Sequence, residues 1–267
     1  MQPALNAIRH SVVHPARRTA LHWLAATGLA AVGAPVAAQK AAPPAAATAS
    51  ATTAAPRYQT SAPSADGIGK RYLGREIAAV MGWQGAAWLE REEREREERG
   101  DLLLRELGLR PGMVVADVGA GTGYYARRMA PLVGAAGSVL AVDVQPEMIE
   151  LLTAMAKKAG LTNIKPVLGA VDDVKLPPES VDLALMVDVY HELEFPFEVI
   201  QSVVRALKPG GQLVYVEYRA EDPRVPIKPL HKMTQLQIRR EAAQHALAYE
   251  RTANTLPWQH VVVFRKR

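Results

Sequence analysis

The chain has 267 residues, 49% of them hydrophobic, and a formal net charge of +5. This length is sufficient for one ample hydrophobic core. The mild positive charge is not gathered into a long basic run, so the sequence does not indicate a nucleic-acid partner. Cysteine is absent, which excludes disulfides, thiolate metal sites and a cysteine nucleophile.

The amino-terminal residues, 1–38, have the pattern of an export signal. Arg17 and Arg18 precede an apolar stretch over 19–36, and small residues that suit cleavage continue to Ala38. The stretch is rich in Ala and Gly and is interrupted by polar residues, so we expect no stable membrane span. The sequence therefore predicts a signal peptide and a periplasmic or secreted protein, and the arginine pair suits the twin-arginine route. The alternative is an Ala-rich leader on a cytoplasmic protein.

The next two segments are predicted to be a flexible linker over 39–69 and a helical cover over 70–110. The linker is mainly Ala, Pro, Thr and Ser, and it cannot bury enough apolar surface to offset its ordering entropy. In the cover, the run 91–99 places Arg and Glu at i,i+4 spacing, which is typical of a solvated helix with surface ion pairs. The alternative is that this helix, with Trp83 and Trp88, covers the mouth of an active site.

From residue 111 onwards, short apolar strands alternate with helices. The predicted strands are 113–117, 139–143, 164–168, 181–188, 212–218 and 261–264, and the predicted helices are 123–133, 146–159, 197–207 and 232–247. Near-continuous apolar strands separated by helices indicate a mostly parallel sheet that is covered on both faces. The sequence therefore predicts a doubly wound α/β domain over 111–267, with the last strand on an antiparallel edge.

A glycine-rich turn, Asp117–Gly123, follows the first of these strands and leads directly into a helix. Open α/β sheets bind ligands at the carboxyl ends of their strands. Glycines there allow close approach of a ligand to the backbone, and the helix start offers free N–H groups. The dinucleotide fingerprint GxGxxG would need its third glycine at Tyr124, so the alternating glycines at 119, 121 and 123 do not match it.

Asp143 ends the second strand, 22 residues after Gly121. A carboxylate at this position is placed to accept hydrogen bonds from both hydroxyls of a ribose. The alternative is an ordinary acid that caps the helix beginning at Pro146. Together with the glycine turn, Asp143 predicts a ligand that contains adenosine.

The end of the fourth strand carries the candidate catalytic residues, His191 and Glu192. His191 is the best general base on offer because the pKa of a free histidine lies near neutrality. The alternative is a structural histidine that is bonded to a loop carbonyl. The metal motif H-E-x-x-H would need its second histidine at Phe195, so we expect no metal ligands here.

Four segments carry a resemblance to a known family: VVADVGAGTGYYARRMAPLVG (114–134), VLAVDVQPEMI (139–149), VDLALMVDVYHEL (181–193) and LKPGGQLVYVE (207–217). The chain resembles the class I S-adenosylmethionine-dependent methyltransferases, and within them the small-molecule branch of ubiquinone and menaquinone biosynthesis. The resemblance implies a Rossmann-like, mostly parallel, seven-stranded sheet. It also implies S-adenosylmethionine as cofactor and in-line methyl transfer to a small-molecule acceptor.

The resemblance further implies which residues bind the cofactor: Asp117, Gly119, Ala120, Gly121, Thr122, Gly123, Asp143, Val144, Asp172 and Asp188. The glycines would line the methionine part, Asp143 would hold the ribose and Val144 would lie against the adenine. The family places an acid for the adenine amino group where this chain has Ala170, so the nearby Asp172 is assigned that contact. The residues that choose the acceptor would lie in 70–99 and 219–248.

Two other functions remain open from the sequence. The export signal favours a non-catalytic module that binds S-adenosylmethionine or S-adenosylhomocysteine outside the cytoplasm, where supply of the cofactor is uncertain. A nicotinamide-dependent oxidoreductase would need the glycine that Tyr124 replaces.

Overall fold

A computed structural model of the protein describes residues 56–267. The predicted signal peptide and most of the predicted linker lie outside the described residues. The strands are β1 (Tyr58–Thr60), β2 (Gly67–Tyr72), β3 (Arg75–Ala78), β4 (Val114–Val118), β5 (Ser138–Asp143), β6 (Ile164–Leu168), β7 (Val181–Val187), β8 (Leu207–Tyr218), β9 (Leu247–Ala253) and β10 (Gln259–Lys266). The helices are α1 (Ala86–Leu89), α2 (Arg94–Glu98), α3 (Gly100–Glu106), α4 (Tyr124–Val133), α5 (Pro146–Lys158), α6 (Pro196–Ala206) and α7 (Gln235–Ala242). Over residues 56–267, no helix combines the length and apolarity needed to cross a membrane.

The larger sheet has seven strands in the order β6-β5-β4-β7-β8-β10-β9. The pairs from β6 to β8 are parallel, and β10 is antiparallel to both β8 and β9. The predicted doubly wound fold is therefore confirmed, and the last strand is antiparallel as expected, but the edge is formed by β9 and not by that last strand, β10. Because the chain moves outwards from β4 to β6 and then returns to place β7 on the other side of β4, the switch point lies between β4 and β7. Ligands bind at such a point in open α/β sheets.

The core is built on both faces of this sheet. Successive residues of β4 illustrate this, since Val115 packs with α3, α4 and α5 on one face and Ala116 packs with α6 and α7 on the other. Both residues are fully buried. Strands that are buried on both faces give the continuous apolar runs seen in the sequence, and their packing holds the carboxyl edge of the sheet in place.

Two predictions for the amino-terminal part of the domain are wrong. Strands β1, β2 and β3 form a separate antiparallel sheet, where a flexible linker up to residue 69 and a helical cover from residue 70 were expected. Leu73 and Gly74 both have positive φ, which is the geometry of a tight hairpin turn between β2 and β3. Tyr72 and Ile77 are buried, so this hairpin has its own apolar anchors. Within the predicted cover, helical structure begins only with the 3₁₀ turn Trp83–Gly85, and the first α-helix begins at Ala86.

The carboxyl-terminal helix is shorter than predicted, because α7 ends at Ala242 and the chain then forms β9. Strand β9 lies at the edge of the sheet, and most of its residues are partly or fully exposed. An edge strand needs few apolar residues, so the polar sequence of β9 carried no strand signal and this strand was not predicted.

The prediction of a solvated helix over 91–99 is also wrong. Arg94 and Glu98 are 5% and 2% exposed, and Arg94 Nε donates to Glu98 Oε2 at 2.9 Å. The Arg94 guanidinium lies 4.1 Å from the centre of the Tyr124 ring. Glu98 also accepts hydrogen bonds from Arg91 and from the Tyr218 hydroxyl. Arg94 and Glu98 thus lie in the domain interior, where they join the cover to the rest of the domain, whereas Arg96 on the same helix is exposed.

Arg94→Ala should destabilise the protein by about 1–2 kcal/mol, because it removes one partner of a buried ion pair while Glu98 keeps its other donors. Arg105→Ala is the matched control, since Arg105 is 67% exposed in its pair with Asp101 and exposed pairs contribute little. The free energy of unfolding in urea measures both. Equal losses of unfolding free energy in the two variants would show that the buried ion pair stabilises the fold no more than the exposed one does.

Candidate functional site

The glycine-rich turn joins β4 to α4 at the switch point of the sheet. Gly119, Gly121 and Gly123 have φ values of 72°, 54° and 80°, a region that favours glycine. The N–H groups of Gly119 and Ala120 both donate to the Val142 carbonyl, at 2.8 and 2.9 Å. A Cβ at Gly119 would lie 2.3 Å from Cγ2 of Val189. Backbone conformation and close packing therefore both require the glycines predicted from the sequence.

Asp143, at the end of β5, lies directly beside this turn. Its Oδ2 accepts a hydrogen bond from the Gly121 N–H at 2.9 Å, and its Oδ1 accepts one from the Gln145 N–H at 2.9 Å. Burial raises the pKa of Asp143, and the hydrogen bonds from Gln145 and Gly121 oppose the rise. The structure thus brings together the two features on which the adenosine prediction rests. Val144, the next residue, is 41% exposed.

The loop that contains Asp172 also begins beside Asp143, since the Gly169 N–H donates to the Asp143 carbonyl at 2.9 Å. Asp172 itself is exposed. Its neighbour Asp173 accepts a hydrogen bond from Arg205 and makes a backbone bridge to Ala170. Asp173 is therefore occupied within the loop, whereas the Asp172 carboxylate faces solvent.

Two further acids lie where β4 and β7 end: Asp117 is buried, and Asp188 is partly exposed but has a buried Oδ1. Asp117 Oδ2 and Asp188 Oδ1 lack a hydrogen-bond partner among the described residues. Burial raises the pKa of Asp117 to about 7. Burial and then repulsion from Glu98 and Glu217 raise the pKa of Asp188 well above its usual range. Buried acceptors of this kind are costly unless they are paired, and they suit a ligand that carries positive charge.

Asp117→Asn should raise stability, and more at about pH 8 than at about pH 4. The folded protein holds the Asp117 proton up to about pH 7, whereas the unfolded chain releases it near the ordinary pKa of 3.8. The wild-type carboxyl therefore loses its contribution to stability as pH rises between these values, and the neutral amide does not. Urea unfolding at both pH values tests this. A difference that does not change with pH would mean that burial leaves the pKa of Asp117 unshifted.

The amino-terminal cover lies over the glycine turn. A Cβ at Gly121 would be 2.5 Å from Cδ1 of Leu89. Glu90 accepts hydrogen bonds from the Thr122 hydroxyl at 2.5 Å and from Arg127 at 2.6 Å. These contacts agree with the alternative expectation that the cover closes the mouth of the site.

The cover also contacts the loop after β5. The backbone N–H of Trp83 donates to Gln145 Oε1 at 2.8 Å, and Gln145 Nε2 donates to the Met81 carbonyl at 3.0 Å. Trp83 and Trp88 remain 41% and 49% exposed. The cover is thus fixed to both loops that were predicted to bind the ligand.

His191 and Glu192 lie on a single 3₁₀ turn, Tyr190–Glu192, just after β7. His191 is 2% exposed, and its Nδ1 lies 2.7 Å from Glu217 Oε2. Its Nε2 lies 3.1 Å from Nδ1 of His231. Burial alone would lower the pKa of His191, but the charge and hydrogen bond of Glu217 outweigh it and raise the pKa. The histidine is thus bonded to side chains rather than to a loop carbonyl.

Glu192 is held towards the cover, since its Oε2 accepts a hydrogen bond from the Met81 N–H at 3.2 Å. Burial raises the pKa of Glu192 to about 7. Glu217 and His231 were not predicted as site residues. The position of Glu217 near the carboxyl end of a buried strand was a usable signal for it, whereas His231 was one of several basic residues in the insert after β8. Donor atoms of His191, Glu192 and His231 lie within 4.8 Å of one another, close enough for a metal ion.

A family model described as a methyltransferase domain matches residues 109–259. The chain belongs to this methyltransferase family. A solved S-adenosylmethionine-dependent methyltransferase from Aquifex aeolicus has the same fold, with a TM-score of 0.67 at 24% identity over 70% of this chain and 100% of that one.

Two curated relatives match shorter stretches of the chain, of 103 and 112 residues. A tRNA U34 carboxymethyltransferase from Desulfotalea psychrophila is 33% identical over 39% of this chain and 32% of its own length. A ubiquinone/menaquinone biosynthesis C-methyltransferase from Ectopseudomonas mendocina is 28% identical over 42% of this chain and 44% of its own length. The chain therefore spans less than half the length of these relatives.

S-adenosylmethionine is the cofactor that membership of the methyltransferase family implies, and the residues present fit it. The glycine turn offers backbone without side chains beside a buried carboxylate, as a nucleoside requires. The unpartnered oxygens of Asp117 and Asp188 suit the ammonium and sulfonium charges of the methionine part.

Proposed function

We propose that this chain is an enzyme that transfers a methyl group from S-adenosylmethionine to a small-molecule acceptor. The observation that carries the proposal is the hydrogen bond from the Gly121 N–H to the Asp143 carboxylate, within a domain of the methyltransferase family. A complete glycine turn and ribose acid argue against a decayed, non-catalytic module. Tyr124 in place of the third fingerprint glycine argues against a nicotinamide enzyme.

In this proposal the cofactor lies along the carboxyl edge of β4 and β5. Gly119, Gly121 and Gly123 line its methionine part together with Ala120 and Thr122. Asp143 accepts the ribose hydroxyls, Val144 packs against the adenine and Asp172 accepts its amino group. Asp117 and Asp188 face the positive charges. Val144 and Asp172 are both exposed, which supports their assignment to the adenine.

The cofactor supplies an activated methyl group, so the protein mainly has to position the acceptor in line and to exclude water. Leu89 and Glu90 of the cover lie over the glycine turn and so help to exclude water. We assign activation of the acceptor to His191 and Glu192, which follow β7 beside that turn. Val189 lies between the glycine turn and these two residues, because it packs directly against Gly119 and precedes the turn that carries His191.

A neutral phenolic or quinol acceptor, as in the ubiquinone and menaquinone branch, fits the acceptor side better than an anion does. The basic residues of the insert after β8 are largely engaged: Lys228 pairs with Asp66, Arg224 pairs with Asp222, and Arg239 lies over the Tyr249 ring. The chain also lacks the basic run that a nucleic-acid substrate would require.

The test is incubation of the full chain with methyl-labelled S-adenosylmethionine and a panel of phenols, quinols, amines, carboxylic acids and tRNA. We expect a labelled product from the phenol or quinol set, detected by mass spectrometry. Labelled tRNA alone would contradict the small-molecule assignment. Tight binding of S-adenosylhomocysteine without turnover on any acceptor would favour the non-catalytic module.

We also propose that the predicted signal peptide, residues 1–38, directs export of the protein, on the basis of the composition of that segment. We expect the mature protein to begin at Gln39 and to occur in the periplasmic or secreted fraction. Amino-terminal sequencing of protein from the native host measures this. Full-length chain confined to the cytoplasm would contradict it.

A further inference from the structure

Three potential metal ligands meet where two separate turns approach each other. His191 and Glu192 lie on the turn after β7, and His231 ends the 3₁₀ turn Pro229–His231 in the insert after β8. Their donor atoms all lie within 4.8 Å of one another. His191 is buried, whereas Glu192 and His231 are partly exposed, so an ion could enter from the side of the insert.

The hydrogen bond to Glu217 prepares His191 to act as a ligand. With Nδ1 as the donor to Glu217 Oε2, the lone pair of His191 lies on Nε2, which faces His231. A histidine whose second nitrogen donates to a carboxylate is the usual arrangement around protein-bound metals. Glu217 is fully buried, so its carboxylate fixes the imidazole ring.

The spacing of the two imidazoles also suits an ion. Nε2 of His191 and Nδ1 of His231 are 3.1 Å apart. Two nitrogens that each lie about 2.1 Å from one zinc ion are roughly 3.0–3.4 Å apart, depending on the coordination angle. The Glu192 carboxylate, within 4.8 Å of both imidazoles, has to move closer by up to about 1.8 Å to complete the set. Its Oε2 accepts the bond from the Met81 N–H, which leaves Oε1 free to bind the ion.

We propose that His191, Glu192 and His231 bind one divalent transition-metal ion. Two imidazoles and a carboxylate best suit zinc, and three protein ligands leave a coordination position open. The negative charges of Glu192 and Glu217 balance the ion. The second histidine ligand, His231, lies 40 residues further along the chain than His191. The site therefore does not follow the sequence motif H-E-x-x-H.

The role of the ion, though not its binding, rests on the proposed methyltransferase function. The site borders the glycine turn, since Val189 packs on Gly119 and directly precedes the turn that carries His191. A hydroxyl group that binds at the open position of a Lewis-acidic ion has a lower pKa. The bound hydroxyl would release its proton to water, and its oxygen would then take the methyl group as the sulfur–methyl bond breaks and S-adenosylhomocysteine leaves. His191 would act here as a ligand of the ion, in place of the free general base expected from the sequence.

The test is titration of the full, chelator-treated chain with Zn²⁺ by calorimetry, and with Co²⁺ by visible absorption. We expect one ion per chain and the absorption of a four-coordinate cobalt site. His231→Gln and Glu192→Gln should each weaken zinc binding more than about tenfold, and Glu217→Gln about 10- to 100-fold. His245→Gln is the matched control, because His245 is a partly buried histidine that stacks on Phe197, and it should bind zinc like wild type.

Binding of S-adenosylhomocysteine, measured on the same variants, separates this inference from the proposed function. Weakened zinc binding with unchanged S-adenosylhomocysteine affinity would support the metal site. Zinc binding that is absent from wild type, or that His231→Gln and Glu192→Gln leave unchanged, would overturn it. In that case the His191–His231 contact is a simple hydrogen bond, and the methyltransferase proposal stands.

Discussion

His191→Gln should lower kcat for methyl transfer by about 10²–10⁴-fold, with little change in the affinity for S-adenosylhomocysteine. The substitution removes the imidazole Nε2, which we place on the acceptor side of the site. The glutamine amide can still donate a hydrogen bond to Glu217, whose carboxylate lies 2.7 Å from His191 Nδ1. The loss therefore falls on activation of the acceptor rather than on the fold or on the cofactor.

The measurement compares kcat, KM and S-adenosylhomocysteine affinity for wild type, His191→Gln and His245→Gln. His245→Gln should behave like wild type in all three, since its ring stacks on Phe197 and makes no contact described for the site. A merely structural role for His191 would lower cofactor affinity and thermal stability together with kcat. Turnover of His191→Gln at the wild-type rate would place the activating group elsewhere.

Asp143→Ala should weaken binding of S-adenosylhomocysteine by about 1–3 kcal/mol, or about 5- to 150-fold in Kd, because it removes charged hydrogen bonds to the ribose. Gly121→Ala should have an effect of the same order, since its methyl group would project towards Leu89, where the backbone approaches the ligand. Titration calorimetry of the purified variants measures both losses.

Gly160→Ala is the matched control for Gly121→Ala. Gly160 also has positive φ, at 67°, but a Cβ there would meet nothing within 4 Å. It therefore carries the same kind of backbone strain without contact with the site. Equal loss of affinity in both glycine variants would mean that strain, rather than close approach of the cofactor, explains the effect. Unchanged affinity in folded Asp143→Ala would contradict the placement of the ribose.

The sequence predicted the central sheet closely because its strands are apolar on both faces and are bounded by Gly and Pro. The predicted 113–117 and 139–143 differ from β4 and β5 by at most one residue at each end, whereas the polar edge strand β9 was not predicted. The amino-terminal sheet was missed since β2 contains Gly67, Gly69 and two basic residues, which conceal strand periodicity. Its turn, Leu73-Gly74, also lacks the Asn or Asp that usually marks such hairpins.

The two halves of the site differ in how far the sequence could predict them. Gly121 and Asp143 follow neighbouring strands, so order along the chain was enough to place them together. The surroundings of His191 depend on Glu217 and His231, which come from β8 and the insert after it. Only the folded chain brings these three residues together, because no local pattern encodes the distance between them.

Titration of the full wild-type chain with S-adenosylhomocysteine and, separately, with NAD distinguishes a methyltransferase site from a dinucleotide site. We expect saturable binding of S-adenosylhomocysteine at one site per chain, much weaker binding in Asp143→Ala, and no heat of binding with NAD. Binding of NAD, or absence of S-adenosylhomocysteine binding by a folded wild-type chain, would contradict this expectation.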